Sequence, residues 1–270
     1  MLAAGNNPNP AVIITLLKGG ADIEAQNNWG ATPLMYAAMS NQNPEVVSAI
    51  LKAGANVNHR GQDDWTPLGL AAKRGQTETV TILLAKGVDS DAKVASLHEA
   101  AFEGQVLVVQ LLLEASAPVE GVDTEGRTPL MKAALGGRTE TVRYFIGKGA
   151  LVNARSNSGW SSLMYAAGEG HLDTAIVLLD SGADVNASTN DGVTPLIDCA
   201  AHQQADAIAL LLRRGADVST RDKNGRTALT YAKRTGNKSV IDLLIDACLA
   251  ALSFQGREEN QAYVRRRPDA

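Results

Sequence analysis

A 33-residue beat runs through this chain. A chain built on such a beat folds as stacked copies of one small unit, not around a single central core. The tripeptide Thr-Pro-Leu begins at Thr32, Thr66, Thr128 and Thr194, with looser copies at Ala95 (Ala-Ser-Leu), Ser161 (Ser-Ser-Leu) and Thr227 (Thr-Ala-Leu). From position 95 the starts fall at 95, 128, 161, 194 and 227, each a step of 33; the earlier steps are 34 (32 to 66) and 29 (66 to 95). Five of the seven copies keep an Ala-Ala pair a few residues on, as at Ala37-Ala38 and Ala166-Ala167. A second landmark closes each unit, as in Lys-Ala-Gly-Ala-Asn-Val-Asn at 52–58 and Ser-Gly-Ala-Asp-Val-Asn at 181–186.

The residue types say what the landmarks do. Thr before Pro is a good helix N-cap followed by the one helical position that tolerates Pro. The second half of each unit carries apolar residues at i, i+3, i+4: Val47, Ile50, Leu51; Val80, Leu83, Leu84; Val109, Leu112, Leu113; Val142, Phe145, Ile146; and Ile208, Leu211, Leu212. The Gly that follows, as at Gly54, Gly149, Gly182 and Gly215, fits a left-handed helix stop. Paired alanines keep the first helix thin, so neighbouring units approach closely. Asn9-Pro10 and Asn43-Pro44 each open a second helix in the first two units. The Asn of the closing landmark (Asn58, Asn153, Asn186) is expected to make local turn hydrogen bonds.

A 33-residue unit with Thr-Pro-Leu, an Ala-Ala pair and a closing Gly-Ala-Asp-Val-Asn resembles the ankyrin repeat. The resemblance covers about residues 1–250. It implies an all-α repeat solenoid: antiparallel helix pairs joined by β-hairpin loops and stacked into a curved array. On this reading residues 1–256 form the repeat domain, with units at 1–28 (truncated), 29–62, 63–91, 92–124 (shortened hairpin), 125–157, 158–190, 191–223 and 224–256 (a polar C-terminal cap). Residues 257–270 are left as a charged, disordered tail with Arg265, Arg266 and Arg267 solvated. The chain begins inside the first helix of its unit, which reads as a truncation.

The resemblance also says where a partner would bind: the hairpin tips and the concave face of the first helices. Those positions hold Trp29, Trp65, Arg127 and Trp160 on hairpins, and Tyr36, Glu99, Lys132, Tyr165 and Asp198 on the helices. Arg74, Phe102 and His202 follow just after the small-residue pair. Trp, Tyr and Arg are the types enriched at binding hot spots. Packing against a neighbouring hairpin is the competing role for Trp65 and Trp160.

Chemistry of other kinds finds no footing. The histidines make no metal-ligand spacing, and the two cysteines, Cys199 and Cys248, form neither a disulfide framework nor a zinc motif. His98 sits where the family often has a structural His bonded to nearby backbone. No nucleotide loop or nucleophile elbow occurs, so no enzyme activity and no cofactor are expected. A net charge of −4 gives no case for nucleic acid. The longest apolar run, 241–254, carries Asp242 and Asp246, and the first ten residues lack a signal peptide, so no membrane insertion is expected. The reading is a soluble, monomeric, cytoplasmic scaffold for an unidentified protein or peptide, of bacterial style. A regulatory or targeting module of a larger enzyme or secreted effector is the alternative.

One join breaks the pattern. From the closing Gly to the Leu of the next Thr-Pro-Leu is 14 residues in most units (Gly54 to Leu68, Gly149 to Leu163, Gly182 to Leu196, Gly215 to Leu229), but only 10 from Gly87 to Leu97. The four missing residues are a hairpin tip with its Gly. A tolerated loop deletion explains this. So does a notch between the Trp65 and Arg127 hairpins that opens Glu99 and Phe102 to a partner.

Overall fold

The computed structural model describes the backbone of residues 1–265 and the side chains of residues 1–252. Residues 1–151 and 152–270 form two compact units. In the first, helices come in pairs: α1 (Leu2–Asn6) with α2 (Pro10–Lys18), α3 (Pro33–Ser40) with α4 (Pro44–Lys52), α5 (Pro67–Arg74) with α6 (Thr77–Leu84), α7 (Ser90–Glu103) with α8 (Val106–Glu114), and α9 (Pro129–Leu135) with α10 (Thr139–Gly147). The first helices pack side by side in the order α1, α3, α5, α7, α9, and the second helices do the same. The second unit holds α11 (Ser162–Gly168) with α12 (Leu172–Asp180), α13 (Pro195–Ala201) with α14 (Ala205–Arg213), and α15 (Ala228–Thr235) with α16 (Lys238–Arg265), stacked in the same way.

The capping signals act as written. The side chains of Thr32, Thr66, Thr128, Ser161, Thr194 and Thr227 each accept a hydrogen bond from the backbone N–H three residues on, at 3.0–3.4 Å. Each satisfies an otherwise orphaned donor. Asn9 and Asn43 cap α2 and α4 in the same manner, ahead of Pro10 and Pro44. The alanine pairs are fully buried, as are Val80, Leu83, Val109, Leu112, Val142, Phe145, Ile208 and Leu211. No helix pair buries its own apolar face; the next pair covers it.

Four expectations are corrected. The closing-landmark Asn does not make local turn bonds. Asn153 Nδ2–H donates to the Gly182 carbonyl at 2.9 Å, and Asn153 Oδ1 accepts from the Asp184 N–H at 2.9 Å, so one amide ties its repeat to the next. Asn58 bridges to Gly87 and Asp89 and Asn186 to Gly215 and Asp217 in the same way. The local turn falls to the residue two earlier: Asp184 Oδ1 accepts from Asn186 N–H.

The loops are hairpin-shaped without strands among the described residues. Each finger is closed by a bond from an amide to the carbonyl four residues on, as in Asp123 to Arg127 at 3.1 Å and Ser156 to Trp160 at 3.0 Å. Arms this short leave no room for a ladder.

The join after Gly87 is not a shortened hairpin. It is helix: α7 starts at Ser90, and at 14 residues it is longer than the seven- or eight-residue first helices of the units beside it. The segment from Ser90 to Ser96 has no Gly or Pro to turn the chain, and Asp91 in the first turn suits a helix start. Finally, α16 runs to Arg265, so residues 257–265, expected to be tail, are helical; the charged stretch needs only good helix formers, not an apolar period. The remainder of that tail, including Arg266 and Arg267, lies outside the described residues.

Candidate interaction site

Two cavities lie on the first-helix side of the first unit, and each includes some of the sequence-expected residues. The first, of about 340 Å³, is lined by Trp29, Ala31, Met35, Tyr36, Met39, Gln62, Asp63, Trp65 and Leu70. We call it the socket. Finger Asn27–Ala31 holds it open: Asn27 Oδ1 accepts from the N–H groups of Trp29 and Ala31, and Asn27 Nδ2–H donates to the Tyr36 hydroxyl at 3.0 Å. The Gln62 N–H donates to the Trp29 carbonyl at 2.9 Å, coupling this finger to the next. Trp29 itself is 69% exposed.

The second cavity, of about 670 Å³, is the gap left by the lost finger. It lies between finger 60–66 and finger 121–127, with the extended α7 as its floor. Trp65 and Asp63 border both cavities. Gly69 contributes to the opening: it stands where α3 and α9 carry Met35 and Met131, and a Cβ there would crowd Thr66 Oγ1 at 3.3 Å and Trp65 at 3.7 Å. Asp63 and Asp64, at the tip of the Trp65 finger, hold φ of 55° and 58°, the left-handed region that other tips fill with Gly such as Gly30, Gly126 and Gly159.

The electrostatics of the notch are largely settled internally. Arg127 Nε–H donates to Asp123 at 2.8 Å, and its far nitrogen lies 3.0 Å from Glu125. Burial pushes the Asp123 carboxyl up, but hydrogen bonds from the Arg127 backbone and side chain outweigh it and hold Asp123 below the ordinary value. Lys73 pairs with Glu99 at 3.6 Å and reaches the Trp65 ring, 4.9 Å from its centroid. Lys132 lies 5.5 Å from the Phe102 ring centre, and burial, with Arg127 adding repulsion, lowers its pKa. His98 Nε2 contacts the Gly121 carbonyl at 2.7 Å, as expected of a structural His; burial lowers its pKa and keeps it neutral.

The structure thus brings Trp29, Tyr36 and Trp65 to the socket and Trp65, Glu99, Arg127 and Lys132 to the notch. Phe102 is half-buried behind Lys132, outside both cavities. Arg74 is exposed at the end of α5 and borders neither. In the second unit Trp160 and Tyr165 are engaged with each other: their rings stack at 5.3 Å. His202 is exposed. Asp198 is buried, which removes it from any contact surface. Its neighbour on the first helix of the preceding repeat is Gly168, standing where other repeats have Met39, Lys73, Phe102 or Leu135; a Cβ at 168 would collide with Asp198 Oδ2. The missing side chain leaves the hole into which this carboxylate turns. Burial pushes Asp198 up to about 6, while His202 pulls it down and Glu169 pushes it further up. Sequence reasoning missed Met35 and Met39 as socket walls, since apolar residues on a first helix read as core.

Residues 1–94, 97–189 and 184–253 match three copies of a family model for ankyrin repeats. No curated protein matches the chain.

Proposed function

The chain belongs to the ankyrin repeat family, whose repeats are generally protein–protein interaction modules, and on that premise we propose that it is a non-catalytic scaffold binding a partner protein through the socket and notch of its first unit. Trp29 carries the reading. A fingertip Trp left 69% exposed beside an apolar cavity is costly in water and is the residue type that dominates binding hot spots.

The perturbed groups support a non-catalytic role. Each answers to packing: His98 is spent on the Gly121 carbonyl, Asp198 on a hole beside Gly168, and Cys199 is a buried thiol pushed up by burial, far from a nucleophile. The test is quantitative recovery of partners by the wild-type chain and by a Trp29→Ser/Trp65→Ala variant with unchanged far-UV circular dichroism. Equal recovery of the same proteins by both sinks the proposal.

A further inference from the structure

The shared wall between socket and notch specifies the chemistry of what binds. Around the notch stand five carboxylates (Asp63, Asp64, Asp91, Glu99 and Asp123) against three cations (Arg60, Arg127 and Lys132). Arg127 is already committed to Asp123 and Glu125, and Lys132 is set back over Phe102. Asp63, Asp64 and Asp91 have no ion pair among the described residues, and all three are exposed on the rim. Arg60 and Lys132 are the cations that stand against them, while Glu99 is paired with Lys73.

His98 stands in the wall of the notch, only 4% exposed, with Nε2–H donating to the Gly121 carbonyl; its Nδ1 is buried and has no hydrogen-bond partner among the described residues, so it adds no positive charge there. The notch therefore presents an excess of unpaired carboxylates on its rim, with Arg60 and Lys132 as its remaining cations. Across Trp65, the socket offers the opposite: Met35, Met39, Leu70 and the two indoles, with room for one large apolar side chain.

We propose that the partner segment is a basic peptide that seats one bulky apolar side chain in the socket and a Lys or Arg in the notch, straddling Trp65. This rests on the interaction-surface reading above. Neighbouring helix pairs lie about 10 Å apart, and by their lining residues the two cavities are centred about one and a half repeats apart, so extended chain at about 3.3 Å per residue spans them in about four to six residues. Charge complementarity of this kind raises the association rate and excludes acidic segments.

The probe is a random dodecamer phage library panned on the full chain, followed by fluorescence anisotropy of the selected synthetic peptides. The expected peptides carry Lys or Arg about four to six residues from Leu, Phe or Met. Their affinity should fall at least about tenfold in an Asp63→Asn/Asp64→Asn/Asp91→Asn variant, and fall again between about 50 and about 300 mM NaCl. Asn tolerates the left-handed backbone of positions 63 and 64, so this variant keeps the finger. Neutral or acidic selected peptides, or an affinity unchanged in the triple variant, overturn the basic-partner proposal. If such peptides still lose binding in Trp29→Ser/Trp65→Ala, the interaction surface stands and only the charge assignment falls. Peptides indifferent to both variants, or no clone dependent on Trp65, overturn both.

Discussion

Replacing Asp198 with Asn should stabilise the second unit at neutral pH and erase a pH dependence that the wild type carries. The carboxylate is buried, and Oδ2 has no hydrogen-bond partner among the described residues. Burial, the largest influence, raises its pKa from 3.8 to about 6. A folded-state pKa above the unfolded one means that the folded chain binds the proton more tightly. Its stabilising contribution is then complete below about pH 4 and is lost as pH rises through about 6. The interval between 3.8 and about 6, at about 1.4 kcal/mol per pH unit, gives about 3 kcal/mol in full, of which about 2 kcal/mol falls between pH 7.5 and 4.5. Asp217, held low by Ser219, acts with the opposite sign only at or below its ordinary 3.8, outside that window. The amide in Asp198→Asn still leaves one polar atom unmatched, at a cost of about 1 kcal/mol, so a net gain of about 1–2 kcal/mol at pH 7.5 is expected. Hydrogen exchange of the 195–201 segment reads it directly. A Trp29→Phe/Trp65→Phe background, in which Trp160 is the sole remaining Trp, reads the same unit by urea titration. Wild-type stability that is flat from pH 4.5 to 7.5, or a slope that persists in Asp198→Asn, would refute the reasoning.

Gly168→Ala fills the hole under Asp198 and should turn its carboxylate out of the site, so that the second unit's stability no longer falls between pH 4.5 and 7.5; urea titrations at both values check it. Asn153→Ala removes both of that side chain's bonds to the next repeat and should cost about 1–2 kcal/mol, with faster exchange of the Asp184 amide as the local signature. Inserting the tip residues of 189–192 between Asp91 and Ala92 should close the notch and weaken notch-dependent peptides by roughly tenfold at the cost of only the first turn or so of α7, as read by anisotropy and circular dichroism.

What was legible in the sequence is what acts over one turn of chain. Thr32-Pro33 and its copies declare a cap and a first helical position, and the structure has them there. Ala71-Ala72 and Val80, Leu83 declare a thin helix and a buried stripe. Interactions that leap one repeat were not legible. Asn58 looks like a turn residue until Gly87 and Asp89, some 30 positions on, are placed beside it. Asp198 occupies the same register as the half-buried Tyr36, Glu99 and Lys132. Only the absent side chain at Gly168, in the preceding repeat, turns it inward. The tryptophans divided for a similar reason: Trp160 found Tyr165 as a stacking partner, whereas the matching place after Trp65 is Leu70, and the space stayed open as a cavity wall.

The lost finger shows how loosely the fingers are coupled to the stack, and it makes one further demand that can be tested. Leu97, Ala100 and Ala101 are as fully buried as Leu68, Ala71 and Ala72, so the helices pack in register despite four fewer residues in the join. The chain reaches α7 by continuing it backwards: the carbonyls of residues 90–95 and the amides from Lys93 onward are satisfied inside that helix, the first of them by Lys93 N–H donating to the Asp89 carbonyl at 3.1 Å, where a finger would have needed turn and neighbour bonds. A Pro at the place held by Pro67 and Pro129 would forbid this, because it lacks the helical N–H and its ring strikes the carbonyl four residues back. The chain has Ser96 there, and Ser96 Oγ–H donates to that carbonyl, Ala92 O, at 2.6 Å. Deletion of the tip and loss of the Thr-Pro cap are therefore one change in two parts. Ser96→Pro should unravel the helix back to about residue 95 at a cost of about 3 kcal/mol, with exchange protection lost from residues 93–95 and kept from Ala100 onward. Protection unchanged across 93–95 in that variant would show that the helical extension is not held by its own hydrogen bonds, and the short join would then need a different physical cause.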